Sequence, residues 1–432
     1  MKTISKINSI LFLLCITFGF AQQTPADKQS KPIAIVGATA HIGNGEVIEN
    51  SVITFADGKL TNVADATMVK MDMTGMEVID ASGKHVYPGF IIANGTLGLA
   101  EVNSVKASVD LSEMGTYNPH IRSIIAYNAE SKLVESMRPS GVLLSQVVPQ
   151  GDRISGTSSI VQHDAWNWED ATVKADDGIH VNWPRSFTRP RWWLGETAIT
   201  PNEDYPKQVK ELSDYFNEAK AYLAGPKNEK HLPFEAMSGL FDGSQRLYIN
   251  ADDERSITDA VNFAKQQGVE HLTIVGGYQA VNVSGLLKEN NVSVFLMQVH
   301  SLPALEDDDY DQPYKLAKQL VDAGVLVALE CSERMNARNL PFYAGTTVAH
   351  GLTKEQALQL ITHNPAKIMG IDDNYGTLEA GKSATLFISE GDALDMRGNR
   401  IDHAFIDGRQ ISLDTHQTEL WKRYSNKYEN QD

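Results

Sequence analysis

The sequence predicts an α/β protein: a (β/α)8 TIM-like barrel plus a composite β-sandwich domain formed by the N- and C-terminal segments. Three observations predict it. Between Pro88 and Gly370 a helix-type run, a Gly or Asn stop and an apolar strand follow one another repeatedly, as in "SITDAVNFAKQQGVEHLTIVGG" and "YKLAKQLVDAGVLVALE". That succession is the mark of βα units around a parallel sheet. Before Pro88 only brief β-type runs occur, separated by Gly and Asp, and after Gly370 such runs return in "GTLEAGKSATLFISEGD" and "HAFIDGRQISLD".

The elements divide the chain in order. Residues 1–21 read as a signal peptide: Lys2 and Lys6 precede an apolar run from Ile10 to Phe20, and small Gly19 and Ala21 stand just before Gln22. The run is short for a membrane span, so export with cleavage is expected, to the periplasm or beyond the cell. Residues 22–31 read as a polar linker, 32–87 as the first part of the sandwich, and 88–372 as the barrel. Residues 373–414 return to the sandwich, and 415–432 form a terminal helix or tail. The stops fall at Gly141, Gly268, Gly324 and either Asn290 or Asn291. After the barrel, Thr353 with Gln356 makes a capping box, Asn364 and Pro365 open a further short helix, and Gly370 ends it. An open doubly wound sheet is the competing architecture, but no Gly-rich phosphate loop opens any of these helices.

The chain has 432 residues, 42% hydrophobic and 22% charged, enough for a large buried core. Its net charge is −17, with two lysines in the leader, so the exported part is more acidic still. Nucleic acid and anionic membrane are therefore excluded as expected partners. Cys15 lies in the leader and Cys331 is the other of the two cysteines, so cleavage leaves no intrachain disulfide.

The words of the sequence resemble those of a known family. "GKHVYPGFIIANGTLGL" resembles the first barrel strand of the amidohydrolase superfamily, where such a lead-in delivers a His-x-His metal pair. "NPAKIMGIDDNYGTLEAGKSATLFISEGDAL" resembles that family's closing signature, and "SLPALEDDDYDQPYKLAKQLVDAGVLVAL" with "ARNLPFYAGTTVAHGL" is similar to its imidazolonepropionase-like branch. The resemblance implies metal-dependent hydrolysis of an amide or other C–N bond. Zinc or another divalent metal would lower the pKa of a bound water, and a last-strand aspartate would carry the proton.

Aligned on Pro88 and Gly89, however, the family's aspartate falls on Ile92 and its two histidines on Asn94 and Thr96. The later histidines fall on Asn250 and on Gly276 or Gly277, and the aspartate falls on Cys331 or Ser332. Zinc takes three or four His, Cys or carboxylate donors at about 2.0–2.3 Å, which Asn and Thr do not replace. The expectation is no bound cofactor and a pseudoenzyme with a binding or partner-subunit role; the alternative is a C–N hydrolase whose site has moved.

Candidates for a moved site lie at strand ends on the barrel mouth: Asn182, His300, Glu330 and Cys331. His300, Glu330 and Glu333 are a conceivable metal set, and Cys331 with His300 a conceivable nucleophile and base. Against these stand the bland readings: a lone cysteine is usually a small buried hydrophobe, and Glu306 to Asp309 a solvated loop. The stretch "NWPRSFTRPRWWLGE" brings Trp183, Arg185, Arg189, Arg191, Trp192 and Trp193 together, either to grip a ligand or partner or to cover an internal apolar patch. Expected partners are a small molecule at the barrel mouth or a related amidohydrolase subunit, in an oligomer.

Overall fold

The computed structural model describes residues 24–188, 192–195, 198–226, 229–297 and 299–429. The expected signal peptide, Arg189, Arg191 and the side chain of Trp192 lie outside the described residues. No helix among the described residues is long and apolar enough to cross a membrane.

Strands β1 (Ile33–His41), β2 (Val47–Ala56), β3 (Lys59–Asp65), β4 (Glu77–Asp80) and β5 (His85–Pro88) precede the barrel. The barrel strands are β6 (Phe90–Gly95), β7 (Val142–Val147), β8 (Ile154–Gln162), β9 (Thr172–Asn182), β12 (Arg246–Ala251), β13 (Leu272–Gly276), β14 (Ser293–Leu296) and β15 (Val327–Leu329). Between β9 and β12 a two-stranded ribbon joins β10 (Phe187–Thr188) to β11 (Thr200–Pro201). Strands β16 (Leu386–Ser389), β17 (Ile401–Ile406) and β18 (Arg409–Gln410) follow the barrel.

The N- and C-terminal strands share one hydrogen-bonded sheet in the order β18-β17-β16-β5-β1-β2-β3, with β4 added parallel to β1. Its junction is β5 against β16, where Tyr87 faces Phe387 and Val86 faces Ile388. A bridge between Lys59 and Ser383 ties the β3 side back toward β16. Ile35, Ile53, Phe55, Val86, Leu386 and Phe405 fill the space so enclosed and are fully buried. The polar stretch read as a linker is pinned to this unit. Pro25 is buried, the Ala26 amide donates to Asp164 Oδ2 at 2.9 Å, and Gln29 both donates to the Phe55 carbonyl at 3.0 Å and accepts from the Gly58 amide at 3.0 Å.

Only Gly89 separates β5 from β6, so the chain passes from one sheet to the other without a loop. A Cβ at Gly89 would sit 3.0 Å from Leu143 and Thr385, and its amide donates to the Thr385 carbonyl. The barrel is an eight-stranded sheet in the order β6-β7-β8-β9-β12-β13-β14-β15, closed by a parallel bridge between Ala93 and Glu330. It departs from eight βα repeats at one place. Strand β8 runs antiparallel to both β7 and β9, so seven parallel strands and one reversed strand make the wall. Buried hydroxyls allow it: Thr157 donates to the Pro119 carbonyl and Ser158 to Asp177, so polar side chains inside the wall keep their hydrogen bonds.

The expected helix stops are observed. Gly141, Gly268, Gly324 and Asn291 all have positive φ, and Gly141 lies so close to the Phe387 ring that any side chain there would collide with it. Thr353 and Gln356 form the reciprocal capping box at Lys354–Gln359, and Gly370 ends His363–Met369 in the left-handed region. The terminal helix is His416–Glu429.

Candidate functional site

The carboxyl ends of β6, β9, β12, β13 and β15 open on a cleft of about 530 Å³, on the face where barrels of this type carry their chemistry. Asn94 and Thr96 reach it from the end of β6, Asn182 from β9, and Asn250 and Asp252 from the end of β12. Gly276 comes from β13, and Glu330 and Ser332 follow β15.

Asn94 organises one side of the cleft. Its φ of 51° places it in the left-handed region, which costs an ordinary side chain but suits asparagine. That turn aims its amide NH2 at Glu330 Oε2, while its backbone N–H donates to Gln146 Oε1 at 3.0 Å. Burial pushes the Glu330 carboxyl up to about 7; the Asn94 hydrogen bond acts against this, and the negative charge of Asp252 acts with it. Thr96 donates its hydroxyl to the Ser332 carbonyl at 3.0 Å, fixing the segment after β15 to the end of β6.

On the other side, the Asn182 amide donates to the carbonyls of Gly151 and Asp152 at 3.1 and 2.6 Å and to Ser155 Oγ at 3.2 Å. The Asn250 amide in turn donates to Asn182 Oδ1 at 3.0 Å. Gly276 has a φ of 94°, and a side chain there would displace the Asp252 carboxylate that lies against it.

Beneath the cleft lies a buried polar network. Gln146 Nε2 donates to Asp177 Oδ2 at 3.0 Å, and Asp177 also accepts from Ser158 at 2.6 Å and Tyr248 at 2.8 Å. Gln146, Ser158, Asp177 and Tyr248 are all fully buried. Burial raises the Asp177 carboxyl despite its three donors. His180 stacks on Tyr248 with centroids 4.5 Å apart and contacts Ser158 Oγ at 2.9 Å; burial holds it down to about 3, hence neutral.

Asn94, Thr96, Asn182, Asn250, Glu330 and Ser332, singled out from the sequence, therefore meet in one cleft. The others do not join them. β14 stops at Leu296, short of His300, whose Nε2 lies 2.7 Å from Thr346 Oγ1 on the helix Leu340–Ala349 with its ring edge-on to Tyr343. That removes the conceived His300–Glu330–Glu333 set and the Cys331–His300 pair. Cys331 is buried, its nearest acceptor is the Glu333 carbonyl at 3.8 Å, and burial pushes its thiol up to about 12. Glu333 is exposed and takes the amide of Asn336 at 2.7 Å. Trp183 is buried rather than presented: its indole donates to Tyr205 at 3.0 Å and packs on Phe263. Trp193 of the same loop is 65% exposed. The residues missed from sequence are Asp252, Gln146, Asp177, Tyr248 and His180; the adjacent acids in "LYINADD" were the available signal for Asp252.

Comparison with known proteins adds to this geometry. The amidohydrolase family model matches residues 257–411. An imidazolonepropionase of Rhizobium rhizogenes is 23% identical over 378 residues, 80% of this chain and 88% of that one. The chain is similar to the amidohydrolase superfamily. Its likeness lies in the imidazolonepropionase-like branch of that superfamily. The corresponding protein of Flavobacterium psychrophilum is 29% identical over 225 residues, 49% of this chain, and there the match spans only about half (51%) of the relative. An amidohydrolase structure from Thermotoga maritima superposes with a TM-score of 0.76 at 23% identity, over 88% of this chain and 99% of that one.

The divalent metal implied by amidohydrolase resemblance does not fit these residues. Among the described residues, no three or more His, Cys, Asp or Glu side chains gather to hold an ion. The positions that would supply ligands carry neutral groups already committed elsewhere: Asn94 to Glu330, Thr96 to Ser332, Asn250 to Asn182. The oxygens these amide and hydroxyl side chains keep are uncharged and do not replace the imidazole and carboxylate ligands that zinc takes.

Proposed function

We propose that this amidohydrolase-superfamily barrel binds a small polar molecule at its mouth and has diverged from metal-dependent C–N hydrolysis, as an exported pseudoenzyme. One observation carries the reading: the side chains at the ligand positions are committed within the protein, Asn94 to Glu330, Thr96 to the Ser332 carbonyl and Asn250 to Asn182. The cleft has the size and mixed lining of a ligand site.

Elemental analysis after gentle purification tests it, with less than a tenth of an equivalent of zinc per chain as the expected result, on the order of background for a barrel without ligands. One equivalent, removable by chelator with loss of an activity, overturns the reading. Asn94→His combined with Thr96→His is expected to yield no zinc-dependent turnover of cyclic amides or dipeptides. The later histidines and the proton-carrying aspartate would still be missing, and catalytic groups that act as a unit do not return singly. Turnover by that double variant would show that the rest of a metal site is present.

A second reading has a specific observation behind it. Glu330, with its carboxyl near 7, shares the cleft with Asp252, as a general acid and base would for hydrolysis without a metal. It requires a metal-independent hydrolase activity abolished by Glu330→Gln. The partner-subunit role rests on Trp193, which is exposed. Co-expression with an intact relative followed by native mass spectrometry tests that role, and recovery of the chain alone rejects it.

A further inference from the structure

The hydrogen-bond orientations in the cleft fix what a ligand must offer. Asn182 turns one end of its side chain to two backbone carbonyls and a serine hydroxyl, so that end is the NH2. Its Oδ1 therefore faces Asn250, which must answer with its own NH2 at 3.0 Å, leaving Asn250 Oδ1 over. Asn94 meets a carboxylate oxygen of Glu330, so it too presents NH2 there and keeps Oδ1 over. Thr96 spends its single proton on the Ser332 carbonyl. One donor each of Asn94, Asn250 and Thr96, and the NH2 of Asn182, are thus turned to acceptors inside the protein. These side chains keep acceptors for a ligand: Oδ1 of Asn94 and Asn250, the lone pairs of Thr96, and the second oxygen of Glu330. Asn94, Asn250 and Glu330 are half-buried and line the cleft. Asp252 adds a second carboxylate to the same lining, in which no Lys, Arg or His is found among the described residues.

We infer that the molecule bound at the mouth carries a cationic nitrogen group rich in N–H, an ammonium, amidinium or guanidinium, that donates to Glu330 and to the amide oxygens of Asn94 and Asn250. The inference rests on the binding reading above and gives the class of its ligand. A carboxylate or phosphate would lose hydration beside the ionised Glu330, which repels it. A neutral amide would offer N–H groups but leave the Glu330 charge uncompensated. The Val148, Pro149, Val275 and Met297 side chains in the lining suit a short aliphatic stem attached to such a head group.

Four probes of one shape separate the outcomes in isothermal titration at pH 8: n-propylamine, n-propylguanidine, propionamide and propionate. At least one of the two cations is expected to bind at least tenfold more tightly than propionamide, with propionate not binding. Glu330→Gln, which keeps the shape of the side chain, is expected to weaken the cation at least tenfold, as is Asn250→Leu. A cooperative melting transition no lower than about that of the native protein shows that each variant is folded. The relative strength of the two cations tells ammonium from guanidinium. Equal or tighter binding of propionamide or propionate overturns the inference while leaving the binding reading in place. Binding of none of the four, or cation binding that Glu330→Gln leaves unchanged, also overturns it. Stoichiometric zinc in the protein removes the binding reading itself.

Discussion

Replacing Asp177 with alanine is expected to lower stability by about 3–5 kcal/mol, because it leaves buried neutral donors without their acceptor. The substitution removes the acceptor shared by Ser158, Tyr248 and Gln146, none of which reaches solvent. Each orphaned donor costs about 1–3 kcal/mol, and relief from burying a carboxyl whose pKa is already raised returns part of the sum. The damage should extend upward. Gln146 holds the backbone N–H of Asn94 through its oxygen, and its NH2 is anchored on Asp177. Loss of that anchor frees Asn94 to leave its left-handed conformation and weakens its hold on Glu330. Urea unfolding at pH 7 measures the first effect. A change below about 1 kcal/mol would mean that water or a rotated Tyr248 replaces the carboxylate, and that the network is not what fixes the mouth.

The same network explains what could and could not be read from the sequence. Local chemistry was legible: Gly141 and Gly324 had to be left-handed stops, Thr353 and Gln356 had to cap a helix, and Pro88-Gly89 had to lead into the first barrel strand. Those signals lie within a few residues of their effects, and the family resemblance aligned on Pro88-Gly89 placed Asn94 at the end of β6, Thr96 just after it and Asn250 on β12. Strand β8 was hidden because its serines and threonines resemble a surface segment, although all nine of its residues are buried. Their hydroxyls are satisfied by partners such as Pro119 and Asp177, remote in sequence. His300 was misplaced for a related reason. Apolar residues continue past Leu296, where the strand ends, so hydropathy alone carried the strand too far. Trp183 lay between two readings until Tyr205 and Phe263, on helices that follow it in the chain, were seen to enclose it. Asp252, Gln146 and Asp177 matter through contacts spanning tens of residues, which no periodicity records.

Glu330→Gln is expected to stabilise the protein at alkaline pH and to leave it nearly unchanged in acid. The carboxyl rises from its ordinary value near 4.5 to about 7 on folding, with burial as the leading cause. A raised carboxyl means that the folded state holds a proton which the unfolded chain has released. Stability therefore falls as pH climbs from the unfolded value to the folded one, and the full penalty applies above about pH 7. At about 1.4 kcal/mol per pKa unit, the shift corresponds to at most about 3.5 kcal/mol, reduced by the partial opening of Glu330 onto the cleft. Glutamine keeps an oxygen to accept the Asn94 amide but has no charge to bury. The variant should thus exceed the native protein in denaturant midpoint at pH 8, with the gap closing toward pH 4.5. A gap that is the same at both values would show that the carboxyl titrates normally and that the cleft holds it without strain. A gap that closes would show that the fold gives up stability to keep an acid at the mouth, a sacrifice that packing alone does not require and that a ligand able to neutralise Glu330 would reverse.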